Sequence, residues 1–191
     1  EMYSKDISKK VHSSYLLKAQ KGQFTGCLAP FGYRKDPEDK NHLLIDEETA
    51  PIVRRLFAWA LEGHGPNYIR RRLEEEKIPC PTYWNRIRGL RNVSTKWEKK
   101  DPVNGRYMWD FSVIKDILIN PVYTGAIASQ KKEYRFKIGT IGEKKPEEWI
   151  VVENQHEPLV DRKTFDIVQR KLKSRQRPRQ TGEISLFAGL I

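Results

Sequence analysis

Four histidines are the first candidates for chemistry in this chain of 191 residues. His12, His42, His64 and His156 lie in four separate segments, and none belongs to an HExxH pattern, which places two metal ligands and a base on one helical face. No Cys–His spacing typical of a zinc site is present either. The histidines therefore give no indication of a catalytic or metal centre.

Two acidic runs and two cysteines are the remaining candidates. Residues 46–48 and 74–76 are consecutive carboxylates, and consecutive residues of a helix point in different directions, so they do not converge on one ion. Cys27 and Cys80 stand alone, without a CxxC pair or the cysteine number of a disulfide framework. The sequence therefore predicts a binding module with no catalytic residue, no metal site and no cofactor in this chain.

The charge of the chain indicates the class of partner. Lys and Arg number 36 against 25 Asp and Glu, so the formal net charge at pH 7 is +11. Three segments, 1–35, 86–100 and 161–180, each carry a net charge of +5 or +6, whereas 36–48 is acidic. Such segregation favours a polyanion such as nucleic acid, with solvated helix faces as the alternative.

The stretch RYMWDFSVIKDILINPVYTG, residues 106–125, predicts one short helix. Asp110 or Ser112 can cap its start, because either side-chain oxygen accepts a free backbone N–H. Asn120 precedes a proline and avoids the α region, which ends the helix. About three turns are too few to be stable alone, so we expect the helix to pack against other elements.

Helical spacing separates this helix into two faces. Its apolar face, formed by Val113, Ile114, Ile117 and Leu118, is expected to pack on two predicted helices in 50–61 and 67–76. Its polar face would then look into a groove of DNA, the arrangement of a helix-turn-helix with an unusually long polar insert, 79–108, before the third helix. In the second helix, each arginine of 70–72 precedes a glutamate by four residues. Ion pairs between these arginines and glutamates compete with contact to phosphate.

The remaining segments complete the predicted fold. A long helix over 2–21, closed by Gly22, carries an apolar stripe, which includes Ile7, Val11 and Tyr15 and can pack on protein. The segment 22–36, rich in glycine and aromatic residues, is predicted to be a loop or extended segment, and strands alternate with turns over 123–154. Asp161 caps a last helix. We predict an α+β, mainly α fold, in which a helix-turn-helix-like helical part follows a long helix and precedes a small β-hairpin with a helix.

The candidate DNA contacts are the basic residues of these segments together with the polar face of the short helix. They are Lys9, Lys10, Lys18, Lys21, Arg34, Arg86, Arg88, Arg91, Arg106, Ser112 and Lys115. No apolar run approaches the roughly 20 residues that span a bilayer, and no signal peptide is visible, so we expect a cytoplasmic protein without a membrane partner. The first residues, EMYSKDISKK, read as helix without a start signal, which suggests a longer parent protein.

Four segments in order resemble the large serine recombinases, the site-specific recombinases of phage-integrase and transposon type. The segments are SKDISKKV…KGQFTGCLAPFGY, IDEETAPIVRRLFAWALEGHGPNYIRRRLEEEKIPCP, W…VIKDILINPVYTG and HEPLVDRKTFDIVQRKL. No single motif is decisive, but four in this order are specific, and the resemblance runs over nearly the whole chain. It departs from the family pattern in the long insert and at Pro51.

The resemblance implies a bacterial or phage-encoded parent that integrates or excises a mobile element as a homodimer or tetramer on double-stranded DNA. Its catalytic serine would belong to an upstream domain and its zinc to a downstream ribbon, so this chain would be the non-catalytic part that recognises the DNA site. The resemblance implies a division into the end of a linker helix (1–21), a helical DNA-binding domain (22–125) and a β-hairpin with a helix (126–191) that leads into the zinc ribbon. A helix-turn-helix transcription regulator is the alternative. An RNA-binding or membrane-surface protein is a third class that the basic charge allows.

Overall fold

The computed structural model describes residues 2–90, 101, 103–135 and 139–174. These residues form six α-helices and six short strands, a mixed helix and sheet fold in which helix predominates. The helices are α1 (Met2–Gln20), α2 (Ala50–Glu62), α3 (Pro66–Glu75), α4 (Pro81–Ile87), α5 (Phe111–Ile119) and α6 (Arg162–Ser174).

The strands form three separate two-stranded antiparallel sheets. They are β1 (Tyr33–Lys35), β2 (Leu43–Ile45), β3 (Ile127–Ser129), β4 (Lys132–Arg135), β5 (Gly139–Glu143) and β6 (Ile150–Val152). β1 pairs with β2, β3 with β6, and β4 with β5, and the β4–β5 pair contains a register shift at Glu133 and Tyr134. Because β3 pairs with β6, the β4–β5 hairpin is an insertion in the chain between the two strands of another sheet.

The ends of α2 and α5 follow local sequence signals as predicted. Pro51 lies in the first turn of α2, and Gly63 ends that helix in the left-handed conformation (φ 99°) that glycine adopts without strain. At α5 the cap is Asp110, whose carboxylate accepts the backbone N–H of Ser112 at 2.9 Å. Of the two candidate caps, the structure therefore selects Asp110, and Ser112 Oγ donates to the same carboxylate at 2.8 Å.

Helix α5 packs against α2 and α3, which confirms the predicted docking of its apolar face. The side chains at the contact are fully buried: Leu56 from α2, Ile69 and Leu73 from α3, and Ile114 and Leu118 from α5. Their burial removes several large aliphatic groups from water, each contributing about 1.5–3 kcal/mol to the folded state. This cluster fixes which face of α5 remains outside.

Helix α6 belongs to the same core, since Phe165 and Val168 join the cluster that extends from Tyr33. Two of its polar side chains also bond to the last turns of other helices. Gln169 Nε2 donates to the carbonyl of Leu118 at 2.6 Å, and Lys171 Nζ donates to the carbonyl of Leu61 at the end of α2. Such donors satisfy carbonyls that a helix end leaves free.

Three features differ from the predictions made from sequence. The β1–β2 hairpin lies where a loop or extended segment and an acidic stretch were predicted, and the pairing was not foreseen because three-residue strands are too short to show an alternating pattern. The insert 79–108 contains α4 and a short 3-10 helix at Gly105–Tyr107 rather than only loop. The apolar stripe of α1 is not packed, since Ile7, Val11 and Tyr15 are each more than two-fifths exposed.

A buried histidine joins the strand region to the segment before α6. His156 Nε2 lies 2.8 Å from the carbonyl oxygen of Val122, and its ring meets the Tyr33 ring edge-on at 4.8 Å. Tyr33 Oη in turn donates to the carbonyl of Glu157 and accepts the N–H of Leu159. Since a carbonyl oxygen only accepts, Nε2 donates to Val122, and Nδ1 has no hydrogen-bond partner among the described residues that would stabilise a second ring proton.

We expect the fold to lose stability as the pH falls below 6.5. Burial lowers the pKa of His156 below its ordinary value of 6.5, so the unfolded chain takes up this proton before the folded chain does. The contribution of His156 is therefore complete above pH 6.5 and decreases as the pH falls through its folded pKa. Chemical denaturation at pH 7.5 and 5.0 measures the loss.

The variant His156→Gln keeps a donor for the Val122 carbonyl but does not titrate, so its stability should change less between the two pH values. His64 is partly exposed beside Glu62, so His64→Gln is the matched control and should behave like the parent chain. An equal pH dependence of the parent and the His156→Gln variant would contradict this assignment.

Candidate nucleic-acid interface

The outer face of α5 carries five exposed side chains. They are Phe111, Ser112, Lys115, Asp116 and Ile119. Successive residues of a helix are 100° apart, so these five occupy one continuous sector, opposite the buried Ile114 and Leu118. The face predicted to meet DNA is thus presented to solvent, with Ser112 and Lys115 both on it.

The first turn of α5 is occupied by its own cap. The backbone N–H of Ser112 and then its hydroxyl lower the pKa of Asp110 below its ordinary value of 3.8, so the carboxylate is ionised near neutral pH. A negative charge at a helix N-terminus interacts favourably with the helix dipole and occupies the position an anion would take. Recognition by this helix would therefore use side chains of its outer face rather than its terminal N–H groups.

The two ends of the insert 79–108 are tied together next to α5. The N–H of Cys80 donates to the carbonyl of Arg106 at 2.8 Å, and Trp109 Nε1 donates to the carbonyl of Ile78 at 2.9 Å. Arg106 is half-buried, and its guanidinium lies 5.0 Å from the centre of the Tyr107 ring. These contacts bring Arg106 beside the start of α4 and a few residues before α5.

Arg88, immediately after α4, is bound by carboxylates of the protein. Its guanidinium donates to both oxygens of Asp46, at 2.6 and 3.2 Å, and also to Glu48. Burial alone would raise the pKa of Asp46, but the hydrogen bonds from Arg88 and Thr49 hold it below its ordinary value of 3.8. Arg88 therefore connects the basic insert to the start of α2, and its charge is largely compensated within the chain.

The arginines at 70–72 are mostly compensated too, as the sequence spacing predicted. Arg70 pairs with Glu74 at 3.1 Å, and Arg72 pairs with Glu76 at 3.2 Å. Arg71 is exposed and has no ion-pair partner in the part of the chain that the structure describes. Of the three, only Arg71 is left with an uncompensated charge for a phosphate.

The lysines of α1 lie in a second region, where α1 contacts β3 and β6. Lys9, Lys10 and Lys21 are exposed, and Lys18 is half-buried. A groove of about 780 Å³ runs between α1 and the later strands. Among its lining residues are Lys9, His12 and Tyr15 from α1 and Lys132, Lys144 and Ile150 from the strand region.

The predicted DNA contacts therefore lie on several separate elements of the fold. Arg106 lies beside the start of α4 and a few residues before α5, whose outer face carries Ser112 and Lys115, and Lys9 lines the groove beside α1. Arg34 is exposed on β1 and Arg86 on α4. Arg91 lies outside the described residues.

Sequence reasoning did not single out some of the residues that complete these surfaces. Lys132 and Lys144 join Lys9 at the groove only because the β4–β5 hairpin folds back toward α1. Phe111 and Ile119 were not assigned to the outer face of α5, although their four-residue spacing from Lys115 places all three on one ridge.

The described residues contain neither a metal-binding cluster nor a membrane-spanning helix. No group of three or more His, Cys, Asp or Glu residues among them is arranged to hold a metal ion. None of the helices that the structure describes is long and apolar enough to cross a membrane.

Comparison with known proteins identifies the family. The Recombinase family model matches residues 47–175, more than half of the chain. The uncharacterized protein YefB of Bacillus subtilis (strain 168) is 37% identical over 86 residues, which cover 44% of this chain and 28% of YefB.

Two solved structures have a similar fold. A crystal structure of a complex of DNA with a large serine recombinase (LSR) matches 91% of this chain and 42% of that one, with a TM-score of 0.54 and 15% identity. A structure from work on the Listeria innocua prophage attP site matches 86% of this chain and 51% of that one, with a TM-score of 0.53 and 17% identity. The chain spans between about a quarter and a half of the length of these relatives. The chain belongs to the recombinase family.

Proposed function

We propose that this chain binds a specific site on double-stranded DNA for a serine-type site-specific recombinase and does not itself cleave DNA. The observation that carries the proposal is the outer face of α5. That face presents Ser112 and Lys115 to solvent while the opposite face is fixed against α2 and α3. A short helix held in this way is the usual element that enters a major groove.

Three further observations support the proposal. The chain belongs to the recombinase family over residues 47–175. Part of its net charge of +11 is carried by exposed lysines on α1 and α5. Such cations contact phosphates without regard to sequence and set the register of the protein on the duplex.

The proposal includes an arrangement of parts. Helices α2, α3 and α5 form a helix-turn-helix-like unit in 22–125, with the end of a linker helix in 1–21 and the hairpin and last helix in 126–191. The hydrophobic core crosses residue 125, because Phe165 and Val168 pack with residues of α2, so the second boundary marks a change of elements rather than of core. In the parent protein the chain would act within a homodimer or tetramer, and zinc would be held by a downstream ribbon.

We expect the chain to prefer duplex DNA over RNA of equal length and over anionic vesicles at matched salt. We also expect no strand breakage and no covalent protein–DNA adduct on supercoiled plasmid, because the sequence predicts no catalytic residue in this chain. Competition binding and denaturing gel electrophoresis measure the two results.

Preferential binding to RNA or to vesicles would contradict the proposed partner, and an adduct would contradict the absence of catalysis. A helix-turn-helix transcription regulator would also bind DNA, and the family match favours recombination.

A further inference from the structure

Helix α5 exposes three side chains in one row, Phe111, Lys115 and Ile119, which we call the α5 ridge. Phe111 is 43% exposed and Ile119 is 41% exposed, and Lys115 lies exposed between them. Four residues advance a helix by about 6 Å, so the ridge is about 12 Å long. A cation thus stands midway between two large apolar side chains.

The composition of the ridge limits what can cover it. An apolar protein pocket that covered Phe111 and Ile119 would also bury the ammonium group of Lys115, which is costly without a charged partner. The floor of a DNA major groove offers a better complement. It presents thymine methyl groups and, a few ångströms away, the O6 and N7 acceptors of guanine.

The spacing of the ridge side chains also matches the spacing of base pairs in DNA. Base pairs are stacked about 3.4 Å apart, so the 6 Å between neighbouring ridge residues corresponds to about two base pairs. A single ridge would therefore cover about four base-pair steps, with acceptors in the middle and methyl groups at the two ends. Asp116, beside the ridge, can accept a hydrogen bond from a cytosine amino group.

We propose that the α5 ridge determines the sequence specificity of this chain. Lys115 would donate to a guanine, and Phe111 and Ile119 would contact the 5-methyl groups of thymines about two base pairs to either side. This inference rests on the proposed function, because it assumes that α5 enters the major groove.

The test begins with selection of duplex sites from a random pool by the whole 191-residue chain. Each thymine of the selected site is then replaced, one at a time, by deoxyuridine, which removes only the 5-methyl group. We expect affinity to fall about 3- to 10-fold at two positions that flank a guanine, since one buried methyl group contributes about that much. Phe111→Ala should abolish the loss at one of these positions and Ile119→Ala the loss at the other.

A matched control removes exposed apolar surface elsewhere. Val151, on β6, is 45% exposed, so Val151→Ala should retain the loss at both thymines and melt at the same temperature as the two ridge variants. Because the ridge side chains are exposed, their removal leaves the core intact.

The outcomes separate the two proposals. The ridge assignment would be overturned if replacing thymine by deoxyuridine left the affinity for the selected site unchanged, or if both ridge variants still lost affinity on that replacement. Either result would leave the proposed binding to a DNA site unaffected. Failure to enrich any site over random duplex would overturn the ridge assignment together with the proposed function.

Discussion

Replacing Arg88 by alanine is expected to lower the free energy of unfolding by about 2–4 kcal/mol, near the lower end of what breaking a fully buried ion pair costs. The loss arises because the carboxylate of Asp46 is only 5% exposed and would be left without its bidentate partner. Arg88 itself is about a third exposed, which keeps the expected value below the upper limit. Urea denaturation of the parent and variant at neutral pH measures the difference.

The acid range gives this prediction a second, independent readout. The pKa of Asp46 is held below 3.8 in the folded chain, so the pair contributes its stability above about pH 4 and loses it as the pH falls through the folded pKa. The difference between the parent and Arg88→Ala should therefore decrease below pH 4. A double-mutant cycle with Asp46→Ala isolates the coupling between the two side chains.

Arg71→Ala serves as the control, because Arg71 is exposed and has no ion-pair partner in the described structure. Its stability should stay within about 0.5 kcal/mol of the parent, as is usual for surface changes. Unchanged stability of Arg88→Ala together with weakened DNA binding would contradict the structural role and make Arg88 a phosphate contact.

Arg88 also shows where prediction from sequence reaches its limit. From sequence it was one of several cations in a basic insert, and its partners Asp46 and Glu48 lie some 40 residues earlier in an acidic stretch. Only the fold places the end of α4 against the start of α2. Pairs such as Arg70 and Glu74, by contrast, are one helical turn apart, so local spacing was sufficient to predict them.

Helices and strands, too, could be predicted where local sequence signals define them and not where long-range contacts do. Helices α2 and α5 were predicted with their ends because proline, glycine and Asp110 act within one turn. The β1–β2 hairpin and α4 were missed, since short elements are stabilised by tertiary contacts such as that between Cys80 and Arg106. The exposure of Ile7 and Val11 on α1 could not be foreseen either. The spacing of apolar residues shows which face of a helix is apolar, but not what that face packs against.

The affinity of the chain for duplex DNA is expected to fall steeply and linearly on a plot of log affinity against log salt. Each phosphate neutralised contributes a slope of about 0.9 through the release of condensed counterions. For about six to ten contacts, the affinity would fall about 10³- to 10⁵-fold between 50 and 200 mM salt. The exposed lysines of α1, Lys9, Lys10 and Lys21, are the first candidates for these contacts.

Replacing these three lysines by alanine should reduce the slope by about 0.9 for each one that contacts a phosphate, and should weaken cognate and random duplexes alike. The control replaces three exposed lysines outside α1, Lys40, Lys163 and Lys173, and removes the same charge. If α1 follows the backbone, the control slope should stay close to that of the parent, because distant exposed charges are screened over about 10 Å at 0.1 M salt. Equal slope changes in the two triple variants would mean that the net charge, rather than the position of the α1 lysines, sets the affinity. An affinity independent of salt would contradict phosphate contact altogether.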